Sequence, residues 1–302
     1  MIDFSNPLNG RKWLNLLEAH SKYGMLFKKN IDHKKDYMGF SFRSNKLGLR
    51  GPENINADKV ICGTSFAMGL SVNNTKNWYE LDVKYENCFN IGMPIGFKNH
   101  LNLLKDYYKG SYDTLIFLYH PNIWVINKNF YKANKSHTDI FTSMKWTTNK
   151  VKIYYLYLRW LVKEKIKIVL NKKEKIIFEN KEYYLNLNYS YFSDKNISDI
   201  EHISRDFLEL SKKFKNVIVL KVPIKEEISL KHSNNKNLKL LNENYTKMWN
   251  IFICNLEKNV RVFDLENEFV LSDYLQRDTH WNEKGNLRFH QFIKKTTNIL
   301  AC

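Results

Sequence analysis

The chain has 302 residues, 43% of them hydrophobic, enough to bury a sizeable core without disulfide or metal staples. Its 48 Lys and Arg against 31 Asp and Glu leave a formal charge of +17, which favours an anionic partner such as nucleic acid, an acidic polysaccharide or a membrane surface but does not choose among them. Cys62, Cys88, Cys254 and Cys302 show no C-x-x-C spacing, so reduced thiols and no metal are expected. The start, Met1-Ile2-Asp3-Phe4-Ser5-Asn6, is not a secretory leader, and no apolar run is long enough to span a bilayer, so a cytoplasmic location is expected.

Residues 1–56 carry an amphipathic stretch (Trp13, Leu14, Leu16, Leu17) and a glycine-punctuated segment, Gly39 to Gly51, read as a leader packing beside the first core strand. From Asp58 the pattern becomes regular. Apolar runs at 59–62, 87–91, 114–119, 216–222 and 259–264 have strand length, and helical spacing follows most of them. Phe97, His100, Leu101, Leu104 and Tyr108, for example, share one helical face. Strands alternating with helices predict a parallel sheet covered on both sides, with its chemistry at the carboxyl ends of the strands. Ser65, Gly92 and Asn122 all fall at such ends.

Between about 128 and 197 the rhythm breaks into an insertion. From Lys150 to Lys175 it holds nine basic and two acidic residues around the apolar run Tyr154 to Val162. Glu182 to Tyr191 then alternates as one arm of a hairpin. This insertion reads either as a lid or subdomain with a solvated basic face, or as a surface for anionic glycan or membrane headgroups, which would make the protein membrane-peripheral.

The chemistry centres on Val60-Ile61-Cys62-Gly63-Thr64-Ser65, a buried strand that stops at a glycine and delivers a hydroxyl, with a helix expected to follow. Far downstream, Asp278-Thr279-His280-Trp281-Asn282 places a carboxylate and an imidazole two positions apart. Acyl transfer through serine needs a nucleophile, a base, a group that orients the base, and donors for the developing oxyanion. Ser65, His280 and Asp278 fill the first three roles. The oxyanion donors would be the Ser65 N–H, an N–H in the segment Asn90 to Gly96 that includes Gly92 and Gly96, and the side-chain amide of Asn122. Each residue also has a plain structural reading. Ser65 suits a helix N-cap, Gly92 and Gly96 a strand-to-helix turn, Asn122 a cap, and Asp278 a cap for the final helix.

Together the four blocks, in this order, resemble the SGNH/GDSL hydrolase superfamily over roughly residues 39–300. The Asp278-Thr279-His280-Trp281-Asn282 ending with Gly285 is the most specific piece, and is similar to the ending of alginate O-acetyltransferase-like branches. The resemblance implies a flavodoxin-like three-layer α/β/α sandwich with a central parallel sheet, here spanning 57–302 with an inserted lid or subdomain. It also implies a Ser-His-Asp triad and no metal or other cofactor. The expected activity is hydrolysis or transfer of an O-acyl group, above all acetyl, on a carbohydrate. A catalytically inactive relative that binds glycan or a membrane surface is the alternative. A nucleic-acid-binding protein is a weaker one, because no nucleic-acid-binding motif accompanies the charge. The sequence departs from the family at Thr64, where the motif has aspartate, at Ile95, where the oxyanion glycine often stands, and at Ile123, where aspartate is common.

Overall fold

The computed structural model describes residues 16–20, 22–33, 41–70, 72–73, 76–78, 87–93, 95–120, 162, 173–186, 197–256, 260–276 and 278–300. Asn122, the basic run around Lys163 and most of the 128–197 insertion lie outside these residues.

A five-stranded parallel sheet forms from β5 (Lys59–Gly63), β6 (Cys88–Asn90), β7 (Thr114–Tyr119), β10 (Asn216–Lys221) and β11 (Val260–Asp264). Its spatial order is β11-β10-β7-β5-β6. Counted from the first core strand this is 2-1-3-4-5, the flavodoxin-like order, whose switch point lies between β5 and β7. The three inner strands read as continuous apolar runs because both of their faces are covered.

Alternate residues of those strands enter different cores. Val60, Cys62, Leu115, Phe117, Val217 and Val219 join one cluster, which the helices α1 (Phe97–Tyr107), α2 (Ile197–Ser211) and α4 (Lys236–Cys254) cover with Phe97, Phe207, Trp249 and Phe252. Ile61, Ile116, Leu118, Ile218 and Leu220 face the other way, onto Trp281, Phe289 and Ile293 of the last turn and helix, α5 (Glu283–Leu300). Two cores on opposite faces of one sheet make the fold a three-layer α/β/α sandwich, as the alternating pattern predicts.

The amino-terminal region contributes the hairpin β1 (Leu17–His20) and β2 (Gly24–Phe27), and the short pair β3 (Asp32–His33) and β4 (Phe42–Arg43). Leu16, Leu17, Leu26, Phe27, Phe42 and Leu49 are buried in the same core as Val60 and Cys62. Buried Arg50 lies over the Phe42 ring and donates to the carbonyls of Gly69 and Val72, so this region also braces the chain just beyond Ser65. Within the insertion, the hairpin expected from the alternation is present as β8 (Lys173–Phe178) and β9 (Lys181–Asn186). Among the described residues no helix is long and apolar enough to cross a membrane.

Candidate active site

Ser65 follows β5 at the switch point of the sheet. Gly63 ends that strand at φ +148°, and a Cβ there would come within 2.9 Å of the Leu118 carbonyl, so the chain leaves β5 at an angle and distance that suit glycine. The helix expected to follow Ser65 is replaced by tight turns. Met68 N–H donates to Thr64, Gly69 to Phe66, and Leu70 to Ser65, a mixed pattern that ends at Gly69 with φ +67°. A left-handed residue and the Arg50 guanidinium on the Gly69 carbonyl stop helical propagation there.

His280 reaches back across the sheet, its Nε2 2.6 Å from the Ser65 hydroxyl oxygen. Its Nδ1 contacts the Asp278 carboxylate, which also accepts the His280 backbone N–H at 2.9 Å. Ser65, His280 and Asp278 thus form one line of hydrogen bonds, the arrangement in which a base takes the nucleophile's proton while a carboxylate fixes its tautomer. Burial pushes the Asp278 carboxyl up. The charge of His280, the two hydrogen bonds from it and the charge of Lys225 outweigh that effect and hold it below the usual carboxylate range. Ser65 is 8% exposed and His280 9%, so both are sheltered without being sealed.

An aromatic ring braces the imidazole. The Phe66 ring stacks on His280 at 5.1 Å and also meets His120 at 4.5 Å and Trp281 at 4.9 Å. His120, at the end of β7, was not singled out in the sequence; only its place at a strand's carboxyl end could have drawn attention to it. Burial pushes its pKa well below 6.5, with the charge of His280 adding to the effect, so it stands neutral beside the dyad.

The Asp278 alternative, as a helix cap, is corrected. Asn282 caps α5 instead, accepting the N–H groups of Lys284 and Gly285 while its amide donates to Ser272 and Tyr274. Gly285 is required by packing, since a Cβ there would lie 2.9 Å from the Trp281 Cβ.

The N–H of Gly92, an expected oxyanion donor, donates to the Asn90 side-chain oxygen at 2.8 Å, while the Asn90 amide holds the Ala67 carbonyl at 3.0 Å. Asn90 thereby fastens the Gly92 segment to the turn that carries Ser65. Ile95 N–H is likewise taken, by the Met93 carbonyl. Gly96 is the residue before α1, at φ −72° and ψ 159°, and its carbonyl accepts from Asn99 and His100. Asn122 lies outside the described residues. Among those described, no group of three or more His, Cys, Asp or Glu side chains could hold a metal ion.

No family model and no curated protein matches the chain. A solved structure from Streptococcus pneumonia, described provisionally as a platelet activating factor, is similar at a TM-score of 0.36 and 10% identity, over 80% of this chain and 84% of its own. A likeness of that size bears no weight for the chemistry, which rests on the arrangement of Ser65, His280 and Asp278.

Proposed function

We propose that the chain is a serine-dependent carboxyl-ester enzyme of the SGNH type, acting on O-acyl groups, above all acetyl, of a carbohydrate. The observation that carries this reading is the continuous line from the Ser65 hydroxyl through His280 to Asp278 at the sheet's switch point. Ser65 attacks the ester carbonyl as His280 Nε2 takes its proton. The tetrahedral oxyanion collapses and expels the alcohol, which receives the proton back from His280. Asp278 holds the Nδ1–H throughout and stabilises the transient imidazolium. Oxyanion donors in this reading are the Ser65 N–H, the Gly96 N–H and the Asn122 amide. Water or a sugar hydroxyl, deprotonated by His280, then releases the acyl group from Ser65.

Carbohydrate as the substrate comes from the resemblance of the Asp278 to Gly285 segment to acetyltransferase-like endings, and acetyl from the same source. The decisive experiment is labelling with a fluorophosphonate followed by mapping of the modified residue. Modification at Ser65, and its loss in Ser65→Ala, is expected. A folded Ser65→Ala protein that still turns over p-nitrophenyl acetate would refute the serine mechanism.

A further inference from the structure

The loop that presents Asp278 and His280 runs from Tyr274 to Asn282 as a narrow turn. Tyr274 and Trp281 form a bridge across its base, and Leu275 N–H donates to the His280 carbonyl. Two tethers hold it from outside, the Tyr274 hydroxyl on the Pro223 carbonyl at 2.6 Å and the Tyr184 N–H on the Gln276 carbonyl at 2.8 Å. A third contact comes from within. Lys225 opens the short helix α3 (Lys225–Ser229) after β10 and is 1% exposed. Its ammonium donates to three carbonyls of the loop, those of Leu275 at 3.2 Å, Gln276 at 3.3 Å and Asp278 at 2.9 Å.

A buried ammonium is costly unless its donors are met, and an apolar side chain of similar length would fill the same space. What only a cation does here is draw several backbone carbonyls to one point and favour the ionised form of the nearby carboxylate. The shortest of the three bonds is to the carbonyl of Asp278 itself. We infer that Lys225 is a positioning residue, whose ammonium gathers the carbonyls of Leu275, Gln276 and Asp278 and so fixes where the Asp278 carboxylate meets His280. The inference rests on the reading of Ser65, His280 and Asp278 as a catalytic triad. The bonds that carry this role run to the loop's carbonyls, so Lys225 acts through Asp278 and His280.

Among the described residues, the charged and titratable groups near this point are Asp278 and His280 on the loop, His120 just after β7, and Glu226 and Glu227 next to Lys225 on α3. Lys221 at the end of β10 donates to Glu227 at 2.6 Å and to Asp264 on β11 at 2.9 Å. None of these changes when position 225 is varied, so a shift in the dyad's titration reports on Lys225.

The test compares wild type with K225M, K225Q and K225R in the full chain. Three quantities are read: kcat and KM on p-nitrophenyl acetate, the acid-side midpoint of fluorophosphonate labelling, and the low-field proton NMR signal of His280 Nδ1–H. In K225M and K225Q, kcat is expected to fall by about a hundredfold, the scale of a displaced catalytic group, with KM little changed. Without the cation the ionised form of the Asp278 carboxyl is less favoured, so the acid-side midpoint of labelling rises by roughly half a unit or more. The low-field signal broadens or disappears. K225R, which keeps the charge, retains the wild-type midpoint even where its longer side chain lowers the rate.

A folded K225M or K225Q with the wild-type midpoint and proton signal overturns the inference. So does a set in which only K225R folds, because Lys225 would then be a strut of the core. If wild type itself resists the fluorophosphonate, the ester-enzyme reading falls, while the His280 proton signal in the variants still decides the role of Lys225.

Discussion

Acid should weaken this fold through His100, and the effect can be sized. His100 lies on α1 directly behind the Gly92 to Gly96 segment and is fully buried. Burial pushes its pKa down to about 3, against an opposing pull from the backbones of Met93 and Ile91. In the unfolded chain the same imidazole titrates near 6.5. The folded state therefore binds fewer protons than the unfolded state between those values, and stability is full above the upper one and is lost as pH falls through it. Each pH unit within the window costs about 1.4 kcal/mol. Between about pH 7.5 and about pH 5, the linkage relation gives a loss of about 2 kcal/mol from this one residue. The assay is urea unfolding of wild type and His100→Leu at both pH values. The fixed cost of the substitution cancels in the double difference, as do the contributions of His120 and Asp278. Wild type is expected to lose about 2 kcal/mol more than the variant over this range. Equal losses in the two proteins would show that His100 is hydrated or charged in the native state, and the reasoning would fail.

Two shorter predictions concern the proposed nucleophile and its support. Ser65→Ala should abolish fluorophosphonate labelling and esterase turnover while costing the fold no more than about 1 kcal/mol, the scale of a lost local hydrogen bond, measured by thermal melting beside the kinetics. Gly92→Ala would set a Cβ 2.7 Å from the Ala67 Cβ and 2.8 Å from the Met68 nitrogen, so the turn bearing Ser65 must shift. A stability loss of about 1 to 3 kcal/mol and a fall in kcat on the order of a hundredfold are expected, and unchanged kinetics would show that the turn yields elsewhere.

The sheet was legible because its inner strands are buried on both faces. Val60-Ile61-Cys62 and Leu115-Ile116-Phe117-Leu118 have no polar residue to interrupt them, and the structure shows why, with odd and even residues feeding separate cores. Ser65, His280 and Asp278 were legible as chemistry-bearing residue types at strand ends or at short spacing. The turn after Ser65 was not, because a strand ending in glycine and serine precedes helices and turns alike, and the outcome here depends on Gly69 and on Arg50 from a distant segment. The sequence pointed to Asp278 as a cap for the final helix and passed over Asn282, because both residue types cap helices well. Lys225 was invisible for a different reason. Its partners are backbone carbonyls, which every residue has, so no residue pattern marks the site that a lysine must reach. The same holds for the Gly92 N–H, whose commitment to Asn90 depends on a rotamer and not on spacing.

In the proposed reaction, the fate of the acyl group turns on what stands beside His280 in the second half. Ser65, His280 and Asp278 would serve water and a sugar hydroxyl alike, so the choice would lie in the groups around them. The hairpin β8–β9 packs Ile176, Tyr183 and Leu185 into the same core as Trp281 and Phe66, the ring stacked on the imidazole. Its backbone is tied to the loop that carries Asp278 and His280 by the bond from Tyr184 N–H to the Gln276 carbonyl. We propose that a hairpin tied to this loop favours a bound acceptor over water in the second step, the condition under which transfer outruns hydrolysis. The expected outcome is that an acceptor oligosaccharide, added with an acetyl donor ester, diverts acetyl into a new O-acetylated sugar at the expense of free acetate. Mass spectrometry of the products and acetate release, followed together, give the partition at each acceptor concentration. If a broad panel of acceptors at saturating concentration yields free acetate alone, water resolves the acyl-enzyme and hydrolysis replaces transfer in the proposed function.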